Sequence, residues 1–98
     1  MAGGQRYNIY ILVRPNEQSV QKVLDKYEPE IERIGEFIEK EPIQIKPLAY
    51  RAKGEDRAAY LVYNAILHEN PLELSAALSL DDDVVRCLLI PNDEKEGE

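Results

Sequence analysis

The stretch from Ile43 to Ile66 limits what this chain can fold into more than any other. Two runs rich in β-branched, aromatic and other apolar residues, Ile43 to Tyr50 and Ala58 to Ile66, flank the charged segment Arg51 to Arg57. Such a pattern reads as a β-hairpin with a longer loop, in which Gly54 supplies the positive φ that a turn needs. The first run continues an extended segment from Phe37, interrupted at Pro42 and Pro47. Two prolines on one strand place it at a sheet edge, where a missing amide breaks no ladder. The second run carries no proline and belongs in the sheet's interior.

The remaining elements fall around this hairpin. Tyr7 to Val13 alternates as a strand and stops at Arg14-Pro15. From Glu17 the period becomes helical, with Val20, Val23, Leu24, Tyr27, Ile31 and Ile34 on one stripe. Asn16 or Ser19 is positioned as its N-cap and Gly35 as the residue after its end, while Pro29 removes one internal hydrogen bond. Asn70-Pro71-Leu72-Glu73 reads as a second helix start, with Asn70 as N-cap and Pro71 in the first helical position. Leu74, Ala77 and Leu78 are its expected buried stripe. Asp81-Asp82-Asp83 forms the turn into a last strand, Val84 to Ile90, ended by Pro91. The order β-α-β-β-α-β predicts an α+β, ferredoxin-like fold: a four-stranded antiparallel sheet with both helices on one face.

The 98 residues allow one domain, read as 5–91, followed by a mobile acidic tail at 92–98. No apolar run approaches the length of a membrane span, and Met1 to Arg6 resembles neither a signal nor a transit peptide. The expectation is a soluble, cytoplasmic protein, with an organellar location as the alternative. One cysteine, Cys87 in an apolar run, suits a reducing compartment and leaves no partner for a disulfide, an iron–sulfur set or a zinc site. The single histidine, His68, reads as a solvated loop residue.

Strand parity carries the functional reading. With Ile9, Ile11, Leu61, Tyr63, Ala65, Val85, Cys87 and Leu89 towards the helices, Tyr10, Leu12, Tyr60, Val62, Ile66, Leu88 and Ile90 point to the bare face, among Asn8, Asn64 and Arg86. A solvated sheet face normally alternates to polar residues. Seven apolar side chains there form a patch of the size that marks a contact surface, and the partner is expected to be a protein.

Charge refines this. The net charge of −7 argues against nucleic acid, but its distribution does not. Glu17 to Glu41 holds eight acids and four bases, whereas Ile43 to Arg57 holds four bases and two acids. Screening over about 8–10 Å lets a basic tip act independently of an acidic body. Catalytic patterns are missing: there is no Gly-rich phosphate loop, no Gly-x-Ser-x-Gly and no His-Glu-x-x-His. Asp81-Asp82-Asp83 does not converge like a calcium loop. RNA-recognition motifs share the element order, but the aromatic third-strand pattern they use for stacking bases is not present. The reading is a protein that is not an enzyme, with no cofactor, no metal, no small-molecule substrate and no membrane association.

Three stretches resemble one family. Lys46-Pro47-Leu48-Ala49-Tyr50, followed ten residues later by Tyr60-Leu61-Val62, is similar to the Leu-Ala-Tyr hairpin of the ribosomal protein S6 family of the bacterial-type small subunit. Tyr7-x-Ile9-x-Ile11-Leu12-Val13-Arg14-Pro15 resembles its first strand. Leu80-Asp81-Asp82-Asp83-Val84-Val85-Arg86-Cys87-Leu88-Leu89-Ile90 resembles its last, where Asp-x-Asp-Val-x-Arg is typical. The chain departs from the family at Gln44, where Gly is usual, at Pro47, where Arg is usual, at Arg51-Ala52, where Pro-Ile is usual, and at Ala59, which replaces the Gly of Gly-Tyr.

The resemblance implies a structural constituent of the small ribosomal subunit. Its expected partners are the central domain of small-subunit rRNA and a small basic ribosomal protein of the S18 type. Arg6, Arg14, Lys46, Arg51, Lys53, Arg57 and Arg86 are the residues expected at RNA, as phosphate contacts that position the protein without reading bases. The expected place of action is the bacterial ribosome in the cytoplasm, or an organellar one. A different class remains as the alternative: a ferredoxin-like homodimerisation or small-ligand-sensing module, paired through the same bare face.

Overall fold

The computed structural model describes residues 4–92. It contains β1 (Gln5–Val13), α1 (Glu17–Ile34), β2 (Gly35–Lys40), β3 (Gln44–Ala52), β4 (Glu55–Leu67), α2 (Leu72–Leu80) and β5 (Val84–Pro91). β2 and β3 both pair with β4, so the order across the sheet is β2 and β3 at one edge, then β4, β1 and β5, with every pair antiparallel. This is the expected ferredoxin-like arrangement. The sheet has five strands rather than four because the edge breaks at Glu41-Pro42-Ile43. The Glu41 amide still donates to the Val62 carbonyl, so the two pieces follow one path along β4.

α1 forms where its apolar stripe requires, burying Val23, Tyr27, Ile31 and Ile34 against the sheet. Asn16 is its cap, the side-chain oxygen accepting from the Ser19 amide at 2.8 Å. Pro29 lies on the exposed side, four residues after exposed Asp25, so the carbonyl it leaves unpaired faces water. Gly35 does not adopt a left-handed cap; it is extended and opens β2 directly. Its lack of a Cβ is required all the same, because a Cβ there would overlap the Ile66 carbonyl oxygen.

α2 starts one residue later than expected. Pro71 occupies the cap position, and Asn70 instead accepts from the Leu72 amide at 2.9 Å. Leu74 and Leu78 are buried, but Ala77 is exposed, so the stripe is narrower than the sequence reading.

The hairpin differs most. The strands run on through the charged segment, and Ala52 pairs with Glu55 across a two-residue turn. Lys53 and Gly54 both have positive φ, 50° and 78°, as a type I′ turn requires. The main core lies between helices and sheet, built on Ile9, Ile11, Val13, Leu61 and Leu67 with Ile31 and Leu78. A smaller cluster of Leu12, Ala58 and Val85 lies on the other face. Most of the expected acidic tail, 93–98, lies outside the described residues; Asn92 donates its amide to the Arg6 carbonyl.

Gly35→Ala is expected to cost about 1–3 kcal/mol, because backbone must move to admit the methyl group. Gly54→Ala, with open space around it, should cost only about 1 kcal/mol for the left-handed φ. Urea unfolding of the two variants measures the difference, and equal costs would contradict the close approach of β2 to β4.

Candidate partner and nucleic-acid surface

The helix-free face is a grid of rows fixed by strand register. One row runs Glu39, Asn64, Asn8, Ile90. The next runs Glu41, Val62, Tyr10, Leu88, and the third Gln44, Tyr60, Leu12, Arg86. All seven residues expected on this face are there. They differ in exposure: Leu88 and Ile90 are 50% and 45% exposed, Leu12 is only 8% exposed, and Tyr10, Tyr60, Val62 and Ile66 are half-buried.

Leu12 is covered by the chain itself. The β3–β4 hairpin brings Leu48 and Ala52 against Leu12, Ala58 and Val85. Between hairpin and β5 a groove of about 250 Å³ remains, floored by Tyr10, Leu12 and Tyr60 and walled by Tyr50 and Leu88. Val85 is a correction. Parity placed it towards the helices, but a register slip opposite Leu12 and Val13 turns it onto the bare face beside Arg86.

The basic residues do not form one patch. Lys46 and Arg86 share the bare face, and the Lys46 ammonium lies 5.1 Å from the centre of the Tyr60 ring. Arg51 and Arg57 are exposed on the hairpin arms. Arg6 faces the same side but at the opposite end of β1, roughly 20 Å from the hairpin at the rise of a strand. Arg14 and Lys53 have internal roles that the sequence did not announce. Arg14 Nε donates to the Asp82 carbonyl at 2.7 Å, and Nη1 pairs with Glu55 at 2.9 Å and reaches the Lys53 carbonyl at 3.2 Å. The Lys53 ammonium donates to the carbonyls of Val84 and, at 3.1 Å, Asp81. Together they pin the hairpin turn to the turn that follows α2.

That second turn is where the three aspartates act. Asp81 accepts from the Tyr27 hydroxyl at 2.7 Å, from Lys26 at 3.1 Å and from the Asp83 amide at 2.9 Å. Burial alone would raise its carboxyl, but these donors outweigh it and hold the group below the usual carboxylate range. Burial and the same carboxylate push the Tyr27 hydroxyl up. Burial likewise raises Tyr63, whose hydroxyl donates to Glu28 at 2.8 Å and fixes α1 to β4. Asp83 accepts from buried Ser19 at 2.7 Å, tying α1's first turn to the same place.

A larger cleft of about 480 Å³ separates the two helices on the far side of the sheet. Its two cations are already paired, Lys26 with Asp81 and Arg33 with Glu30. Among the described residues, no group of His, Cys, Asp or Glu is placed to hold a metal ion, and no helix is long and apolar enough to cross a membrane.

These features define a class: a ferredoxin-like α+β domain with one sheet face left to outside contact. Residues 6–91 match the family model of ribosomal protein S6. The chain therefore belongs to the ribosomal protein S6 family, a family of structural proteins of the small ribosomal subunit rather than enzymes. Among solved structures, it resembles the 30S ribosomal protein S6 of Thermotoga maritima with a TM-score of 0.80 at 18% identity, over 91% of this chain and 88% of that one. It also resembles the C-terminal domain of the MgtC protein of Mycobacterium tuberculosis, with a TM-score of 0.59 at 18% identity over 100% and 98% of the two chains. At such identities these likenesses speak for the fold alone. No curated protein matches the sequence significantly.

The Asp81 geometry sets a pH dependence. Its folded carboxyl titrates below the unfolded value of about 3.9, so its stabilising contribution is complete above about pH 4 and is lost as pH falls through the folded value. Asp81→Ala is expected to lower stability at pH 7 by about 1–3 kcal/mol, and the deficit should shrink on acidification below pH 4. Thermal unfolding of both proteins from pH 7 to pH 2.5 checks this.

Proposed function

We propose that this chain is a structural constituent of the small ribosomal subunit, working in the bacterial cytoplasm. It binds the central domain of small-subunit rRNA together with a small basic ribosomal protein of the S18 type. The observation that carries this is the bare sheet face, whose rows run from an acidic margin of Glu36, Glu39 and Glu41 at the β2 edge to half-exposed Leu88 and Ile90 on β5. Apolar rows next to unlike charge suit a basic protein surface through burial and electrostatic complementarity.

RNA meets the hairpin side. Lys46, Arg51, Arg57 and Arg86 contact phosphates, and Arg6 reaches a separate stretch of backbone beyond the other end of β1. Arg14 and Lys53 contribute by fixing the hairpin turn, so their remaining donors meet phosphate from a rigid base. These contacts set position and orientation, and sequence is left to the RNA's own folded shape.

Binding of the chain and its basic partner to a central-domain rRNA fragment should weaken with salt. Replacing Lys46, Arg51 or Arg57 by Gln should each flatten the log–log salt slope by about 0.7–0.9 for the phosphate contact removed. Leu88→Glu should weaken capture of the basic partner at least tenfold, about 1.4 kcal/mol, while leaving the fold intact. A stable homodimer that Leu88→Glu splits, with no ribonucleoprotein formed, would instead favour the dimerisation module.

A further inference from the structure

The reading of the bare face as a partner surface leaves open what anchors the partner, and the anchor proposed here rests on that reading. Asn8 and Asn64 stand directly opposite each other in the first row of the grid. Asn64 Nδ2 donates to Asn8 Oδ1 at 3.1 Å. Asn64 Oδ1 is buried and accepts from nothing among the described residues. A buried amide oxygen without a donor costs about 1–3 kcal/mol, and native structures retain few of them.

The orphan oxygen belongs to a residue lining a notch of about 100 Å³, bordered also by Tyr10, Val62, Glu39 and Glu41. Glu39 is opposite Asn64 in register. Glu41 is held opposite Val62 by its backbone amide. Neither carboxylate forms an ion pair among the described residues, whereas neighbouring Lys40 is turned to Glu28 on α1. The notch therefore offers two carboxylates without an ion pair and an aromatic ring, beside the Asn8–Asn64 amide pair. A water molecule supplies donors but leaves both carboxylates uncompensated. An apolar side chain leaves both carboxylates unmet. A protonated side chain with several N–H donors answers both, and the volume admits a guanidinium or an ammonium group.

We propose that this notch seats an arginine or lysine side chain of the basic protein segment that covers the bare face. The segment crosses the rows of the grid, its cation between Asn64 and the two glutamates. Its following apolar residues lie on Tyr10 and Leu88, one row along, and continue towards the groove beneath the hairpin. The acidic margin thus fixes the segment's register, and the apolar rows contribute the burial. A single desolvated anchor ringed by apolar contacts is the usual distribution of energy in a protein interface.

The test has two arms, both on the full chain. In the first, N-acetyl-arginine amide is titrated against 15N-labelled protein, with N-acetyl-citrulline amide as the uncharged isostere. The side-chain amide signals of Asn64 and Asn8 should move to saturation with a Kd of about millimolar for arginine, and at least about tenfold less steeply for citrulline. The Glu39→Gln/Glu41→Gln double variant should abolish the difference between the two probes. Equal responses to both, or a response indifferent to the double variant, would overturn the proposal.

In the second arm, binding of a purified S18-type ribosomal protein is followed by surface-based kinetics. The double glutamine variant should weaken it at least about tenfold, chiefly through faster dissociation. Loss of binding in Leu88→Glu with none in the double variant would sink the notch and leave the partner surface standing. Indifference to both changes would remove the partner surface itself.

Discussion

One strand is the common partner of three others. β4 pairs with β1 along one side, and on its other side with β3 over its first part and β2 over its last. Its thirteen residues contain no proline, and most of them are buried or half-buried. The interrupted edge is possible only because β4 continues without interruption beneath it. Where β1 ends opposite Ala59, β4 extends a further turn-ward stretch with no β1 neighbour. Arg14 and Lys53 secure the β1 side of that overhang through carbonyls and Glu55, while β3 pairs with its other side. Such charge-assisted bonds to fixed backbone hold geometry better than exposed ion pairs, whose long side chains wander.

Periodicity made the fold readable. The α1 stripe, the alternation of β1 and β4 and the prolines of the edge each belong to one local rule, and local rules agreed with the tertiary result. Reading failed wherever register slipped. Val85 sits at a bulge, where one extra residue turns its side chain to the opposite face. The hairpin loop reads as long in sequence because Arg51, Arg57 and their neighbours are charged; exposed edge strands carry such residues without losing their pairing.

The candidate site was legible to the same degree. All seven apolar face residues followed from parity. Their covering by Leu48 and Ala52 did not, since it depends on how far the hairpin leans across the sheet. Arg14 and Lys53 look in sequence like any other cations in a basic segment. Only contact with carbonyls from a turn some thirty to seventy residues away distinguishes them from Arg51 and Arg57. The notch at Asn64 is similarly hidden: two asparagines and two glutamates from β1, β4, β2 and the break after β2 meet there, and no spacing in the chain joins them.

The hairpin tip, with Lys46, Arg51 and Arg57, and the acidic flank, with Glu36, Glu39 and Glu41, lie at different parts of one rigid body. Charge divided this way gives the molecule an electric dipole. In the field of a polyanion it rotates before it touches, hairpin leading, once within reach of the roughly 8 Å screening length. If RNA is the partner, as proposed, the fraction of collisions that arrive hairpin first rises with dilution of the surrounding electrolyte.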